Sequence, residues 1–483
     1  MSPMVLKNCA EELGKPLLII FRTSFKEGEI PDKWKMANIT PIFKTGSKLE
    51  AINYRPVSLT SICCKIMEGI IRDNIAQYLY ENKLISVYQH GFVRKKACVT
   101  NLLECQSLIT KSLMNNKTVD VIYTDFSKAF DKVSHKKLLH KMEAYGIRGA
   151  LLSWVGSFLR YRRQRVVLGD VESTWNAVTS SVPQGSVLGP LLFVLYINDL
   201  PDGLTNKCLM YADDSKLIAE SEAEEDNGLQ MDLNKVVSWC ETWSMCLNGA
   251  KCKVMHCGKG NPRRVYWIGE LPLKVTEKEK DLGVIISSNG KMGDQAVTAA
   301  NKASRILGVM RKTFRYFDMK LFKIIYPTFV RPHLEFASAV WNSLSVKDAK
   351  RLEGVQRRAT KMVTELRGMS YEMRLKKLGL TSLETRRKRG DLIQIYKIIK
   401  GLEEVDWGMN IGRNRPGLAH RYQIQSESCG KCTLRGDFLP NRTATTWNLL
   451  PSVVVNAETV NSFKARLDSH IETGLLRRSV YKI

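Results

Sequence analysis

The chain has 483 residues, 44% of them hydrophobic, and carries 74 Lys and Arg against 48 Asp and Glu, a formal net charge of +26. Length and apolar content exclude a disordered segment or a disulfide-stapled miniprotein and leave room for roughly two to four domains. So large a cation excess makes a polyanion the natural partner, nucleic acid before an anionic membrane surface.

The first 30 residues hold Glu11 and Glu12 and no long apolar run, so no secretory signal is expected. Ile39 to Phe43 reads as a strand, and Lys44-Thr45-Gly46-Ser47-Lys48 as a basic loop. Ile62, Ile66, Ile70, Ile71, Ile75 and Leu79 recur at helical spacing and predict a helix over 57–84. Val119 to Tyr123 is β-branched and strand-like and ends at Asp125. A helix through Ser127 to Met142 is expected next, with Asp125 placed to cap it. Residues 150–182 read as a helix and then a hairpin through Arg165–Leu168 and Trp175–Val178.

Pro183-Gln184-Gly185 reads as a turn into a helix whose first turn tolerates Pro190. The apolar run Val187 to Ile197 is far short of the roughly 20 residues a bilayer span requires. Cys208 to Ala219 reads as a hairpin, 226–247 as an amphipathic helix, and Val254–His256 and Leu282–Ile286 as strands. Polar Ser287 to Asp294 marks a boundary, beyond which the pattern is helical to about 402 and then less regular. Twelve scattered cysteines suit a reducing compartment. Cys429-Gly430-Lys431-Cys432 lacks the second pair a zinc site normally needs.

The chemistry gathers at Tyr211-Ala212-Asp213-Asp214, on the tip of the predicted hairpin, and at Asp125, which ends a predicted strand 88 residues earlier. Adjacent acids at such a tip are an ordinary turn or a cation site. Three carboxylates on adjoining strand ends can hold two divalent ions for in-line phosphoryl transfer, and all-oxygen donors favour Mg²⁺. Phe130 is either a core aromatic or a ring pressed against a sugar. Gly185 and the following helix start suit close approach to a flat or phosphate-bearing ligand.

Asp125-Phe126-Ser127-Lys128-Ala129-Phe130-Asp131, Ser181-Val182-Pro183-Gln184-Gly185-Ser186-Val187-Leu188-Gly189-Pro190 and Tyr211-Ala212-Asp213-Asp214 occur in this order. They resemble motifs A, B and C of reverse transcriptases of non-LTR (LINE-type) retrotransposons, in the jockey and chicken-repeat branch. Asn53-Tyr54-Arg55-Pro56 and Gln89-His90-Gly91-Phe92 resemble that family's finger motifs. Leu247 to Lys251 and Asp281-Leu282-Gly283-Val284 resemble its motif D and primer grip.

The resemblance implies an α+β right-hand polymerase: fingers and N-terminal extension over 1–118, a palm with a mixed, mostly antiparallel sheet over 119–286, a helical thumb over 295–402 and a tail over 403–483. It implies RNA-directed DNA polymerase activity with two Mg²⁺ ions (or Mn²⁺), an RNA template drawn from the element, a DNA primer and dNTPs, in nucleus and cytoplasm and without a membrane. It implies Asp125, Asp213 and Asp214 as metal ligands, with the Phe126 carbonyl beside them. Phe130 would be the sugar gate, Gln184 and Gly185 would line template and nucleotide, Lys44 and Arg55 would clamp the triphosphate, and Lys251 would protonate pyrophosphate. Fewer than 31 residues precede Pro31, so the family's endonuclease is expected to be missing.

Where the family usually shows Gly-Arg-Ser, Lys95-Lys96-Ala97 stands, and the planar fork of arginine is lost. Arg160 to Arg165 and Arg386-Arg387-Lys388-Arg389 read as tracks for a nucleic-acid duplex, with plain surface charge as the rival reading of both and a nuclear import signal as a further rival for the second. The alternatives to a working reverse transcriptase are a catalytically silent nucleic-acid-binding remnant of the same fold, an RNA-dependent RNA polymerase, against which Phe130 argues, and a structural scaffold or membrane-surface protein, which predicts no metal dependence.

Overall fold

The computed structural model describes residues 2–222, 226–408, 411–412, 420–430 and 432–472. Its centre is a five-stranded sheet in the order Lys274–Val275, Lys253–Cys257, Thr118–Thr124, Asp214–Ser221, Lys207–Tyr211. All neighbours are antiparallel except the edge pair Lys274–Val275 and Lys253–Cys257. Alternate residues of each strand face opposite ways. Ile122, Leu217, Cys208 and Val254 therefore join one core with the helices Ile62–Glu81, Gly149–Leu159, Gly189–Ile197 and Leu229–Trp243. Val119, Val121, Ile218, Leu209 and Met255 join another with the helix Cys98–Met114 and the helices beyond residue 293. A sheet covered on both faces explains why Thr118–Thr124 is buried almost throughout.

A second sheet pairs Met36–Phe43 with Tyr54–Leu59 (antiparallel) and with Arg162–Leu168 (parallel), extended by Val171–Glu172 and Asn176–Val178. The helix expected over 57–84 starts later than its sequence pattern predicts. Val57 to Leu59 do not open the helix. They pair with Asn38 to Thr40, and the helix begins at Ile62. Tertiary pairing of Val57-Ser58-Leu59 with the neighbouring strand decides, and the helix begins only at Ile62.

The helix expected from Ser127 begins instead at His135, where Ser134 caps it. Asp125 is therefore not an N-cap. A 3₁₀ turn, Ala129–Lys132, intervenes behind Lys128 at φ 52°. Leu282 and Gly283 are not strand. With φ of 44° and 91° they form the tight turn between Lys278–Asp281 and Val284–Ser287.

Helices dominate after residue 293: Gly293–Thr313, Val346–Thr360 and Leu383–Ile399 are the longest. The core does not part at residue 402. Trp447 and Phe463, from the helices Leu439–Asn448 and Val460–Glu472, are fully buried, and Phe463 stacks on Tyr396 at 4.1 Å. Residues 473–483 of the expected tail, and Lys431 of the CxxC, lie outside the described residues. Cys429 and Cys432 are free thiols, as are the other ten cysteines. No helix among the described residues is long and apolar enough to cross a membrane.

Candidate active site

The central strand delivers Asp125 and the hairpin delivers Asp213 and Asp214 to the same end of the sheet. Thr124 is registered with Ser215 and Tyr211 with Asp214, which leaves Ala212 and Asp213 as the two-residue turn. Asp125 follows directly on Thr124. Burial pushes the Asp213 carboxyl up, Asp125 pushes it further, and Arg55 and Lys44 oppose both. Asp214 is pushed up to about 6, first by burial, then by the charges of Asp213, Asp281 and Asp125. The three acids are thus close enough to repel one another.

The loop after the helix Leu229–Trp243 is latched to the first acid. Asn248 N donates to Asp125 O at 2.7 Å, Asp125 N donates to Cys252 Sγ at 3.4 Å, and Lys251 Nζ stands 3.4 Å from Asp125 Oδ2. Lys44 and Arg55 stand at the loop end of the hairpin Met36–Phe43 and Tyr54–Leu59, both exposed; Arg55 pairs with Ile42 and Lys44 N donates to Asn53 O at 2.8 Å. Beside the acids lies a cavity of about 300 Å³ lined by Asp125, Asp214, Lys216, Lys251 and Asp281. Lys216 and Asp281 form a buried ion pair there. The sequence marks Asp281 only through the resemblance of Asp281-Leu282-Gly283-Val284 to the primer grip, and Lys216 not at all. The available signal was a lysine inside an apolar strand, two places after Asp214 and so on its face.

Phe126 is buried edge-on to Trp239, with ring centroids 6.4 Å apart. Phe130 is half-buried, stacked on Phe193 at 4.3 Å, and its carbonyl accepts from Val182 N at 3.0 Å. The gate candidate therefore rests on the helix that follows Pro183-Gln184-Gly185. Gln184 Nε2 donates to Asp131 Oδ1 at 3.3 Å, and Gln184 O accepts from Ser58 N at 2.7 Å. Gly185 has φ 110°, and a Cβ there would lie 2.6 Å from Ser58 O, so this crossing of the two segments demands glycine. The loop signal was legible, but its partner in the second sheet was not.

The arginines of the second basic run are taken up by partners within the protein. Arg386 forks onto Glu335, Arg387 is buried and donates to Asn342 Oδ1 at 2.9 Å, Lys388 meets Glu384 at 2.8 Å, and Arg389 forks onto Asp468. The three arginines tie their helix to its surroundings, and Lys388 pairs within the helix. In the first run Arg162 is buried, donating to Phe158 O at 3.0 Å, while Arg160 and Arg163 stay exposed. Lys96 pairs at 3.1 Å with buried Glu104 and so holds the fold together rather than facing a nucleotide. An exposed cationic stripe lies elsewhere: Lys302, Arg305 and Lys312 on Gly293–Thr313, with Val309 exposed among them.

Among the described residues, no three His, Cys, Asp or Glu side chains stand together as a ready-made metal cage. The donor chemistry fits a hard divalent ion all the same. Two carboxyls are driven up by burial and by their neighbours' charge, and every available donor is oxygen. A divalent cation would relieve that repulsion.

Acids on a tight hairpin turn and at the adjoining strand end of a largely antiparallel sheet, backed by helices, make a polymerase-like arrangement. The chain belongs to the reverse transcriptase (RNA-dependent DNA polymerase) family, whose model matches residues 42–310. It is 30% identical over 247 residues to the RNA-directed DNA polymerase from mobile element jockey of Drosophila melanogaster, covering 49% of this chain and 27% of that protein. The counterpart from Drosophila funebris is 26% identical over 377 residues, covering 74% and 40%. The Pol polyprotein from type-2 retrotransposable element R2DM of Drosophila melanogaster is 26% identical over 290 residues, covering 55% and 26%. The chain thus spans two fifths or less of these relatives' length. Among solved structures, apo telomerase from Candida Tropicalis aligns with 81% of this chain and 67% of its own, at 10% identity and a TM-score of 0.43, a likeness too slight to carry an argument.

Proposed function

We propose that this chain is the RNA-directed DNA polymerase of a non-LTR retrotransposon, extending a primer 3′-hydroxyl with deoxynucleotides on an RNA template. One observation carries the reading: Asp125, Asp213 and Asp214 gather at one end of the sheet, where Asp125 raises the proton affinity of Asp213 and both raise that of Asp214. In this reading residues 1–118 are fingers, 119–286 palm, 295–402 thumb and 403–483 a family-specific tail. The three aspartates and the Phe126 carbonyl would hold Mg²⁺. When bound, the metal supplies charge neutralisation at the attacking and leaving oxygens. Lys44 and Arg55, already within electrostatic reach of Asp213, would hold the triphosphate. Gln184 and Gly185 would border the nucleotide, and Lys251 would hand a proton to departing pyrophosphate. The stripe Lys302, Arg305, Lys312 offers phosphate contacts for the product duplex.

Extension of oligo(dT) on poly(rA) tests the reading: incorporation of dTTP that requires a divalent metal supports it, and salt-sensitive binding without incorporation overturns it. The second outcome is what a silent binding remnant would give, a reading favoured by Lys251 standing on Asp125.

Two further outcomes are expected. Phe130→Val should cut the preference for dNTP over NTP by about 10- to 100-fold, the worth of a few methylenes at a steric gate. Equal discrimination in wild type and variant removes Phe130 from the gate. Mg²⁺ should raise Tm more at pH 7.5 than at pH 5. Asp214 has a folded-state pKa raised above its ordinary 3.8, so its ionised form costs stability above about 6, and that cost fades as pH falls towards 3.8. The metal therefore relieves most where the carboxylate is bare. Equal shifts at both pH values, or an undiminished shift in Asp214→Asn, count against the assignment.

A further inference from the structure

The turn that carries Asp213 is gripped from behind by a segment that the proposed chemistry does not use. Gln89 makes a parallel bridge to Met210, in the strand leading into the turn. Met210 N donates to Tyr88 O at 3.0 Å and His90 N donates to Met210 O at 2.8 Å. Past Met210 the backbone pairing gives way to a side chain. Gln89 Oε1 accepts from Ala212 N at 3.0 Å and from Gly91 N at 2.7 Å. Gln89 is fully buried, and its Nε2 has no partner. Gly91 completes the grip: a Cβ there would lie 2.4 Å from Ala212 N, so no other residue admits this approach.

What is gripped is strained. Ala212 has φ 54°, a left-handed conformation that a hairpin of this length ordinarily gives to glycine. A non-glycine residue keeps such a conformation only where its surroundings over-determine it. Without Gln89 the buried Ala212 N–H would lose its acceptor, and the turn would be free to relax. The next residue is Asp213.

We infer that Gln89 is a positioning residue: it fixes the backbone of Ala212 and thereby sets the direction in which Asp213 meets Asp125. The inference rests on the polymerase reading of the acids, but Gln89 itself touches neither substrate nor metal.

The test uses the full chain as wild type, Gln89→Met (similar shape, no acceptor), Gln89→Glu (acceptor kept) and Gly91→Ala. It measures Mn²⁺ binding by electron paramagnetic resonance without nucleic acid, kcat and KM for dTTP on poly(rA)/oligo(dT), duplex Kd, and Tm. Gln89→Met should lose about 10-fold or more in Mn²⁺ affinity and in kcat, as residues that orient metal ligands do. Its duplex Kd and KM should stay within about twofold, since nothing that touches substrate is altered. Gln89→Glu should recover Mn²⁺ affinity and kcat to within about threefold.

A role in folding alone would lower Tm and the active fraction without changing Mn²⁺ affinity per folded molecule. Wild-type Mn²⁺ affinity and kcat in Gln89→Met overturn the assignment. If Gln89→Met does not fold, Gly91→Ala decides: a matching loss of Mn²⁺ affinity supports the grip, and unchanged affinity overturns it. A wild type with no Mn²⁺ site sensitive to Asp213→Asn overturns both this inference and the polymerase reading. A wild type that binds Mn²⁺ but does not extend removes the polymerase reading alone, and Gln89 is then judged on Mn²⁺ affinity.

Discussion

Asp213→Asn is expected to abolish primer extension while making the metal-free protein more stable. The two effects have one cause. Asp213 is half-buried, burial disfavours its charge, and Asp125 adds repulsion that Arg55 and Lys44 only partly offset. Asparagine keeps the shape, removes the charge and relieves the fold. The same substitution removes an anionic oxygen that no neighbour replaces, because Asp214 leaves the turn along the other strand and Asp125 is shared with Lys251. Loss of electrostatic groups aimed at a developing charge typically costs about 10²- to 10³-fold in rate, and loss of a metal ligand should cost at least as much. A fall of about 10³-fold or more in kcat, roughly 4 kcal/mol of barrier, is therefore expected, together with a raised Tm and a lost response of Tm to Mg²⁺. Such opposition between stability and activity marks a site built for function. A variant that extends within about tenfold of wild type removes Asp213 from the chemistry; one that is inactive and also less stable points to a structural aspartate.

What could be read from the chain, and what could not, divides along physical lines. Local patterns survived: the β-branched run at Val119, the hairpin around Ala212 and the proline-tolerant helix start at Pro190 all stand in the structure. Each is decided by residues near one another in sequence. The failures are long-range. Val57 to Leu59 were claimed by the helical stripe that begins at Ile62, yet they pair with a strand some 20 residues earlier. Arg386 to Arg389 read as a polyanion track because Glu335, Asn342 and Asp468, which occupy three of the four, lie 51, 45 and 79 residues away. The acids at the candidate site were legible because adjacent carboxylates between apolar strands are rare and costly. Gln89 stands out in the sequence only within a stretch that resembles a finger motif, and its contact was not legible: a glutamine gains its meaning from the amide it meets, and Ala212 lies 123 residues on.

Glu104 is the other residue whose role only the fold reveals, and its removal should produce a large loss of stability. In the sequence it is one polar residue on a helix. In the structure it is 2% exposed and sits at a junction of three segments. Lys96 Nζ lies 3.1 Å and Lys207 Nζ 3.7 Å from its carboxylate, Asp406 N donates to it at 2.9 Å, and His90 Nε2 is 3.6 Å away. Burial alone would push this carboxyl up, but the surrounding donors and cations prevail and hold it at about 2. Lys207 begins the strand that leads to the acid turn, and Asp406 belongs to the segment that opens the C-terminal region, so one carboxylate joins both. Glu104→Gln leaves Lys96 without its anion in a buried setting, and breaking such a pair from one side costs about 3–5 kcal/mol. Urea unfolding at pH 7 should show that loss. The pH dependence supplies the check. A carboxyl held at about 2 against an ordinary 4.5 contributes stability that is complete above 4.5 and disappears as pH falls towards 2. The gap between wild type and Glu104→Gln should therefore narrow steadily below pH 4.5, as wild-type Glu104 itself becomes neutral. A gap that stays constant with pH would mean that shape, not charge, holds the junction together.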